Sequence, residues 1–561
     1  MTETTVVDRE DLAFGHPSRE AGFAALMPLA GLAACGGGGG GTTPAPPPPP
    51  AAITDAEASR FLAQASMGAT REQIERVKAI GYAAWLDEQF ALPQQGTRWD
   101  WLVGKGYDAI ANKNSQAGFD AAAWRKLLSS SDTLRQRVTF ALSELLVVGI
   151  DGLVNGGGWR AFSAAAYLDL LEANAFGNVR TLLDAVSHSV PMGLYLTFKG
   201  NRKANAATGA SPDENYAREV MQLFTIGLTQ LNLDGMPKLV NGSPQDTYTQ
   251  DDITGLARVF TGWDIDLAGG TTDTPDYQRR PMAMVAARHE TGAKAFLGTT
   301  IPANTDGPTS LQLALDAIFA HPNVAPFWSR QLIQRLVTSN PSAAYVQRVA
   351  TVFNDDGSGS RGNLKAVLRA ILLDDEARGA AALSDPSFGK LREPILRFTG
   401  WARAFKVSSP SDAWAVPNTS DPGTRLGQSP LRSASVFNFF RPGYVPPNSA
   451  IGSAGLVAPE FQITNESSVV GYVNTMQRAV STGFGDLVAD ETAMLALADD
   501  AGALLAELNT VLAAGQIDAA AMATMKNALD GMAAGTDAAR RNRLHAALVL
   551  VLAAPAFIVQ K

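Results

Sequence analysis

A single cysteine, Cys35, stands in the whole chain. One thiol cannot close an intramolecular disulfide or build a multi-cysteine metal site, so the folded part must be held by packing. Histidine is scarce as well. Of the five present, no two have the spacing of an HExxH zinc helix, which disfavours a hydrolase of that type. There is no G-x-S-x-G elbow, no Gly-rich fingerprint between a strand and a helix, and no phosphate loop. The run Gly36–Gly41 lacks the Lys and Ser/Thr that a phosphate loop needs. Basic clusters are also missing. Lys and Arg number 46 against 54 Asp and Glu, for a formal charge of −8, and no cationic stripe offers itself to a phosphate backbone, so nucleic acid is not an expected partner. Past the N-terminus, no apolar run of the roughly 20 residues that span a bilayer stands out, and His545–Ala554 has the length of a buried helix.

What the sequence does have begins at its start. Residues 21–34, AGFAALMPLAGLAA, form an uncharged run ending at Cys35, long enough for a signal-peptide apolar region and too short for a membrane span. Leu32-Ala33-Ala34-Cys35 resembles the lipobox of bacterial lipoproteins, in which the chain is cut before a cysteine that then carries lipid. Residues 1–34 are therefore expected to be a signal peptide and Cys35 a lipidation site. This places the protein outside the cytoplasm, at the periplasm or cell surface, with the membrane reached through the lipid. One feature departs from the pattern: Glu3, Asp8, Glu10, Asp11 and Glu20 outnumber Arg9 and Arg19 where a positive region is usual. Removing residues 1–34 brings the formal charge to −5. Residues 35–52 read as a tether, because six glycines lose too much entropy on ordering to join a core and Pro46–Pro50 favour an extended polyproline rod.

From residue 53 to 561 the periodicity is helical. Phe61, Leu62, Ala65 and Met67 line one face, with Gly68 as a stop. Ile74, Val77 and Ile80, then Trp85, Leu86 and Phe90 across Gly81, continue the pattern. Helical spacing returns over 121–148, 164–176, 179–190, 213–228 and 251–263. It resumes over 311–319, 324–336, 345–353, 364–373, 465–480 and 490–559. Residues 201–211 read as a loop, 264–304 as an elaborated surface excursion, and 408–425 and 441–458 as Pro/Gly/Ser-rich breaks. No fixed-period repeat occurs and strand-like alternation is almost absent. The expectation is an all-α class with long irregular loops and little or no β-sheet, as one large domain or two lobes.

Several of these segments carry a family resemblance. Residues 58–68, Trp85 with Pro93, DENYAREVMQLFTIGL at 213–228, YTQDDITGLARVFTGW at 248–263, HETGAKAFLG at 289–298, GKLREP at 389–394 and the closing PAFIVQK resemble the domain of unknown function 1800 family. The likeness covers essentially everything after the tether. It implies no established activity. Members are often exported and often encoded beside a secreted protein that resembles sulfatases, which implies a sulfatase-like envelope partner. Some relatives carry a Trp-His-Asn-His stretch where this chain reads Phe140-Ala141-Leu142-Ser143-Glu144, so a metal role there does not transfer.

Candidate chemistry gathers in 213–294. Glu214 and Arg218 share a helix face, as do Asn215 and Glu219. They form either an exposed pair of roughly 0.2–0.5 kcal/mol or an inward network, which Tyr216, Val220, Leu223 and Phe224 favour by leaving little purely polar face. Asp251 and Asp252 open a helix, where one caps it and the other can face Arg218 or a cation. His289, beside Lys294 in a Gly-bearing loop, can act as a general base, bind an anion with that lysine, or make a structural hydrogen bond. The loop from Asn354 to Gly359 mimics a calcium loop, but Lys365 falls where a bidentate glutamate belongs, so it reads as a turn. Phe437–Tyr444 can wall a ligand cleft or seal a loop. Two functions compete. One is a tethered lipoprotein that binds or positions a protein or polymer partner. The other is an extracytoplasmic hydrolase using Glu214, Glu219, Asp252 and His289, with Arg218 and Lys294 supporting the ligand. No cofactor is specified by the sequence.

Overall fold

The computed structural model describes residues 52–156 and 158–561. Cys35, the apolar run before it and the tether as far as Ala51 lie outside the described residues. Within them the chain is predominantly helical, and its strands are antiparallel pairs only two or three residues long. The first helix, Asp55–Ala65, starts at a capping box in which Thr54 and Glu57 satisfy each other's backbone N–H groups. It buries Ala58, Phe61, Leu62 and Ala65, and Phe61 meets Trp85 edge to face at 5.3 Å. Gly68 follows with φ +148°, and a Cβ there would fall 2.7 Å from the Gly400 Cα. The expected stop residue is thus also the point where the chain crosses helix Pro394–Ala404 backbone to backbone. Thr70 caps helix Arg71–Ile80, and Gly81 turns the chain into Tyr82–Ala91. Asp132, at the start of helix Thr133–Leu145, makes no capping bond among the described residues; its carboxylate accepts from Gln136 instead.

The segment 213–228 holds less helix than its spacing suggests, only Asn215–Gln222. The chain leaves the helix because other groups take up its carbonyls. The Trp328 indole donates to Phe224 O at 2.9 Å, and the Asn323 amide donates to Ile226 O at 2.9 Å, both from the region of helix Val324–Leu336. Helix Gln250–Ala257 is likewise short. The excursion 264–304 is pinned by two ladders, Trp263–Asp264 with Ala283–Met284 and Lys294–Phe296 with Thr299–Ile301. The second lies on helix Gln250–Ala257, where Gly255 has no room for a side chain against the Ala295 carbonyl.

Helices Gly307–Ala320, Val324–Leu336, Ala343–Asn354 and Leu364–Leu373 follow as expected. The turn after Asn354 is closed by its own groups, with Asp356 accepting from Ser358 and Asn363. Buried apolar side chains form two clusters, one drawn mainly from residues 58–388 and one mainly from 395–557. Helix Asp537–Ala553, which contains most of His545–Ala554, packs on Glu466–Ser481 and Ala501–Ala513. Among the described residues no helix is long and apolar enough to cross a membrane. Two of the family-like segments meet at the end of the chain: Lys390–Leu391 pairs with Val559–Gln560, and Arg60 of the first helix donates to the Lys561 carbonyl at 3.0 Å.

Candidate functional site

The residues singled out by sequence separate into four environments. Glu214 stands at the N-cap of helix Asn215–Gln222 and accepts from Thr254 Oγ1 and Gln250 Nε2, both at 2.8 Å. Arg218 reaches it at 3.4 Å, with the two side chains 39% and 32% exposed. This is the half-exposed pair rather than an inward network, and its work is to tie two short helices together. Glu219 alone turns inward. It is 7% exposed, its Oε2 has no hydrogen-bond partner among the described residues, and burial pushes its pKa up to about 7, with Arg218 drawing it down only partly.

Asp252 completes a capping box. It accepts from Thr249 N at 2.7 Å and Oγ1 at 2.8 Å, and also takes Leu297 N at 2.6 Å, which fastens the 294–301 hairpin. Burial opposes its ionisation, but these donors outweigh it and hold the carboxyl below its usual range. His289 is buried. Its Nδ1 lies 2.9 Å from Thr261 O, the geometry of a ring N–H donating to a carbonyl, and its Nε2 has no partner among the described residues. Burial keeps its pKa below the ordinary value, and that of Lys294 too. Lys294, fully buried, donates to Gly292 O at 3.5 Å and lies close enough to disfavour charge on His289. The structure therefore brings His289 and Lys294 together. Among the described residues no hydrogen bond or ion pair joins them to Glu214, Glu219 or Asp252.

Sequence reasoning missed a larger polar system in the core. Lys390 and Glu393 of the GKLREP segment are fully buried, and the Lys390 ammonium donates to Glu460 at 2.9 Å and to Arg335 O at 2.8 Å. Gln428 donates to Glu393 at 2.6 Å. Glu144 sits beside Glu393. Burial and that neighbouring charge lift Glu144 well above the usual carboxylate range. Burial also opposes ionisation of Glu393, but the hydrogen bond from Glu144, with Lys390 and Arg137, outweighs it. The pair thus shares one proton, held by Glu144. Beside it opens a cleft of about 60 Å³ lined by Glu144, Gln331, Arg335, Phe327, Phe437 and Phe440. The Phe437–Tyr444 motif walls this cleft and also seals a loop, since Gln334 Nε2 donates to Pro442 O at 3.3 Å. The available signal was the cluster of charges in GKLREP, two basic residues followed by an acid, whose lysine and glutamate both point inward.

A larger recess lies elsewhere. A groove of about 1180 Å³ runs between the Asp234 turn, the start of helix Ala343–Asn354, the stretch 375–388 and the loop 450–457. Asn340 clamps that last loop, with its side chain bonded to both Val457 N and Val457 O at 2.9 Å. Asp234, Asp375, Glu376 and Asp385 contribute to its wall, against one cationic side chain, Arg330. Its apolar surface comes from residues such as Val346, Phe388, Ile451 and Leu456. Among the described residues no group of three or more His, Cys, Asp or Glu has the arrangement of a metal site.

No curated protein and no solved structure matches this chain. Residues 60–559 match the family described as Protein of unknown function (DUF1800), and the chain belongs to that family.

Proposed function

We propose that this protein is an exported lipoprotein, anchored to a membrane of the cell envelope by a lipid on Cys35, that docks an extended cationic segment of a protein partner. The observation that supports this most is the groove. At about 1180 Å³ it exceeds the roughly 300–1,000 Å³ of a common small-molecule pocket. Its four carboxylates against one guanidinium steer and orient a basic chain, while its apolar patches take alternate side chains. The Gly/Pro tether lets such a domain reach a partner away from the surface. The sulfatase-like proteins encoded beside family members are the first partners to test.

The test places a photo-reactive side chain at Ala454, on the groove wall, in the lipidated chain. A covalent adduct with one envelope protein is expected, and it should disappear in the Asp375→Lys/Asp385→Lys double variant. An adduct indifferent to the charge reversal contradicts the reading. The anchor is tested separately: Cys35→Ser should abolish a lipid-sized mass increment on the mature chain, and an unchanged mass contradicts it.

A second reading, an extracytoplasmic hydrolase, is favoured by Glu219, whose pKa of about 7 lies where a carboxyl both gives and takes a proton at neutral pH. On that reading Glu219→Gln stops turnover of an envelope polymer and leaves the Ala454 adduct intact.

A further inference from the structure

A second recess, of about 680 Å³, opens beside the C-terminus of helix Val179–His188. Its size is that of an ordinary small-ligand pocket, and the partner-docking reading does not use it. His188, the last residue of that helix, faces it with a partly buried side chain. The ring is fixed from one side: Nδ1 lies 3.0 Å from Asp184 O and 3.4 Å from Asp184 Oδ2, one helical turn back. Trp263 packs edge to face on the ring at 4.8 Å. Among the described residues Nε2 makes no hydrogen bond. A carboxylate holding one nitrogen of an imidazole sets its orientation and leaves the other nitrogen for a ligand.

The backbone then delivers a cation to the same rim. Ser189 bridges Pro281, and Met282 N donates to His188 O at 2.7 Å, a register that sets Arg280 opposite Val190, diagonal to His188, and both His188 and Arg280 line the recess. Its guanidinium donates to Asp266 O at 3.4 Å, and among the described residues no carboxylate pairs with it. The neighbouring charges are largely accounted for. Asp169 is taken by Arg98 at 3.0 Å and by the N–H groups of residues 98 and 99. Arg279 pairs with Asp276 at 3.1 Å, and Asp184 also has Arg180 at 3.5 Å. Asp100 and the buried Tyr167 complete the ionisable groups around the recess.

We propose that this recess binds a small organic oxyanion, its negative group held between His188 Nε2 and the Arg280 guanidinium and its apolar body against Leu170, Pro191 and Pro281. Charge-assisted hydrogen bonds from two cationic donors are the strong kind. Burial opposes charge on His188, but its bonds to Asp184 prevail and hold its pKa above the ordinary value, so the donor is charged at mildly acidic pH and loses its charge as the pH rises.

The test is calorimetric titration of the full-length chain with benzoate, and with benzamide as the uncharged match. Benzoate should bind, benzamide should not, and benzoate affinity should fall by about tenfold or more between about pH 6 and pH 9. Arg280→Met should weaken benzoate by about tenfold, and His188→Gln should bind more weakly with no pH dependence across that range. Melting curves check that both variants remain folded, and Arg280, partly buried and outside any helix or strand, is the safer of the two. Equal binding of benzoate and benzamide, no benzoate heat at all, or a pH dependence that survives in His188→Gln would overturn the proposal.

Discussion

Glu214 and Glu393 both sit in charge-dense family segments next to a basic side chain, and they end up in opposite surroundings. Glu214 keeps about a third of its side chain in solvent and bonds to Thr254, Gln250 and Arg218 on or beside the surface. Glu393 keeps none, and is held by Gln428, Lys390 and the proton of Glu144. The pair at 214 can be removed and water will replace it. The set at 393 cannot be opened without leaving a charge in a medium that does not solvate it. Residue type and spacing are similar in the two places; what separates them is the element opposite. The short helix Gln250–Ala257 presents hydroxyl and amide groups to Glu214, whereas Glu393 faces Arg137, Lys390 and the interior.

That difference can be broken by substitution. The largest effect is expected at Glu172, which is fully buried between Arg98 at 2.6 Å and Lys126 at 2.7 Å. Glu172→Leu strands the buried Lys126 and leaves Arg98 to Asp169 as its one remaining carboxylate, and should cost about 3–5 kcal/mol in urea unfolding. A near-neutral result would mean that water reaches this cluster.

Glu219 comes next, with the opposite sign. Its pKa rises on folding from 4.5 to about 7, so the folded chain retains a proton that the unfolded chain has lost. Its contribution to stability is complete below pH 4.5 and is lost as the pH climbs through about 7. By linkage the loss amounts to about 3 kcal/mol. Glu219→Gln should flatten this part of the stability profile and raise stability at pH above 7, read from melting temperature against pH. An unchanged profile would mean that Glu219 has found a partner.

A smaller cost is expected at Gly255. A methyl group there collides with the Ala295 carbonyl and must push the 294–301 hairpin away. Gly255→Ala should cost about 1–3 kcal/mol and speed amide exchange in the hairpin before the rest of the chain. The smallest effect belongs to Glu214→Ala, within about 0.5 kcal/mol. A loss several times larger would erase the contrast with Glu393.

Much of the helical pattern was legible because it follows from spacing that burial enforces. Phe61, Leu62 and Ala65, and later Val324–Leu336, lie where the period places them. The shortening of 213–228 was not legible, because it depends on Trp328 and Asn323, about a hundred residues away, capturing the carbonyls of Phe224 and Ile226. The site residues divide in the same way. Local roles, such as Asp252 in a capping box, can be read from neighbours in sequence. The inward turn of Glu219, the proton shared by Glu144 and Glu393, and the placing of His188 and Arg280 on one recess depend on contacts made across the fold.

The central claim is that recognition occurs in the acidic groove and that the carboxylates of 214–252 are structural. The most direct measurement is quantitative mass spectrometry of proteins recovered with the lipidated chain from envelopes, comparing Asp375→Lys/Asp385→Lys with Glu219→Gln/His289→Ala. The account predicts that one partner is lost with the groove variant and kept with the other. Loss with the Glu219→Gln/His289→Ala variant, with the groove variant unaffected, would contradict it.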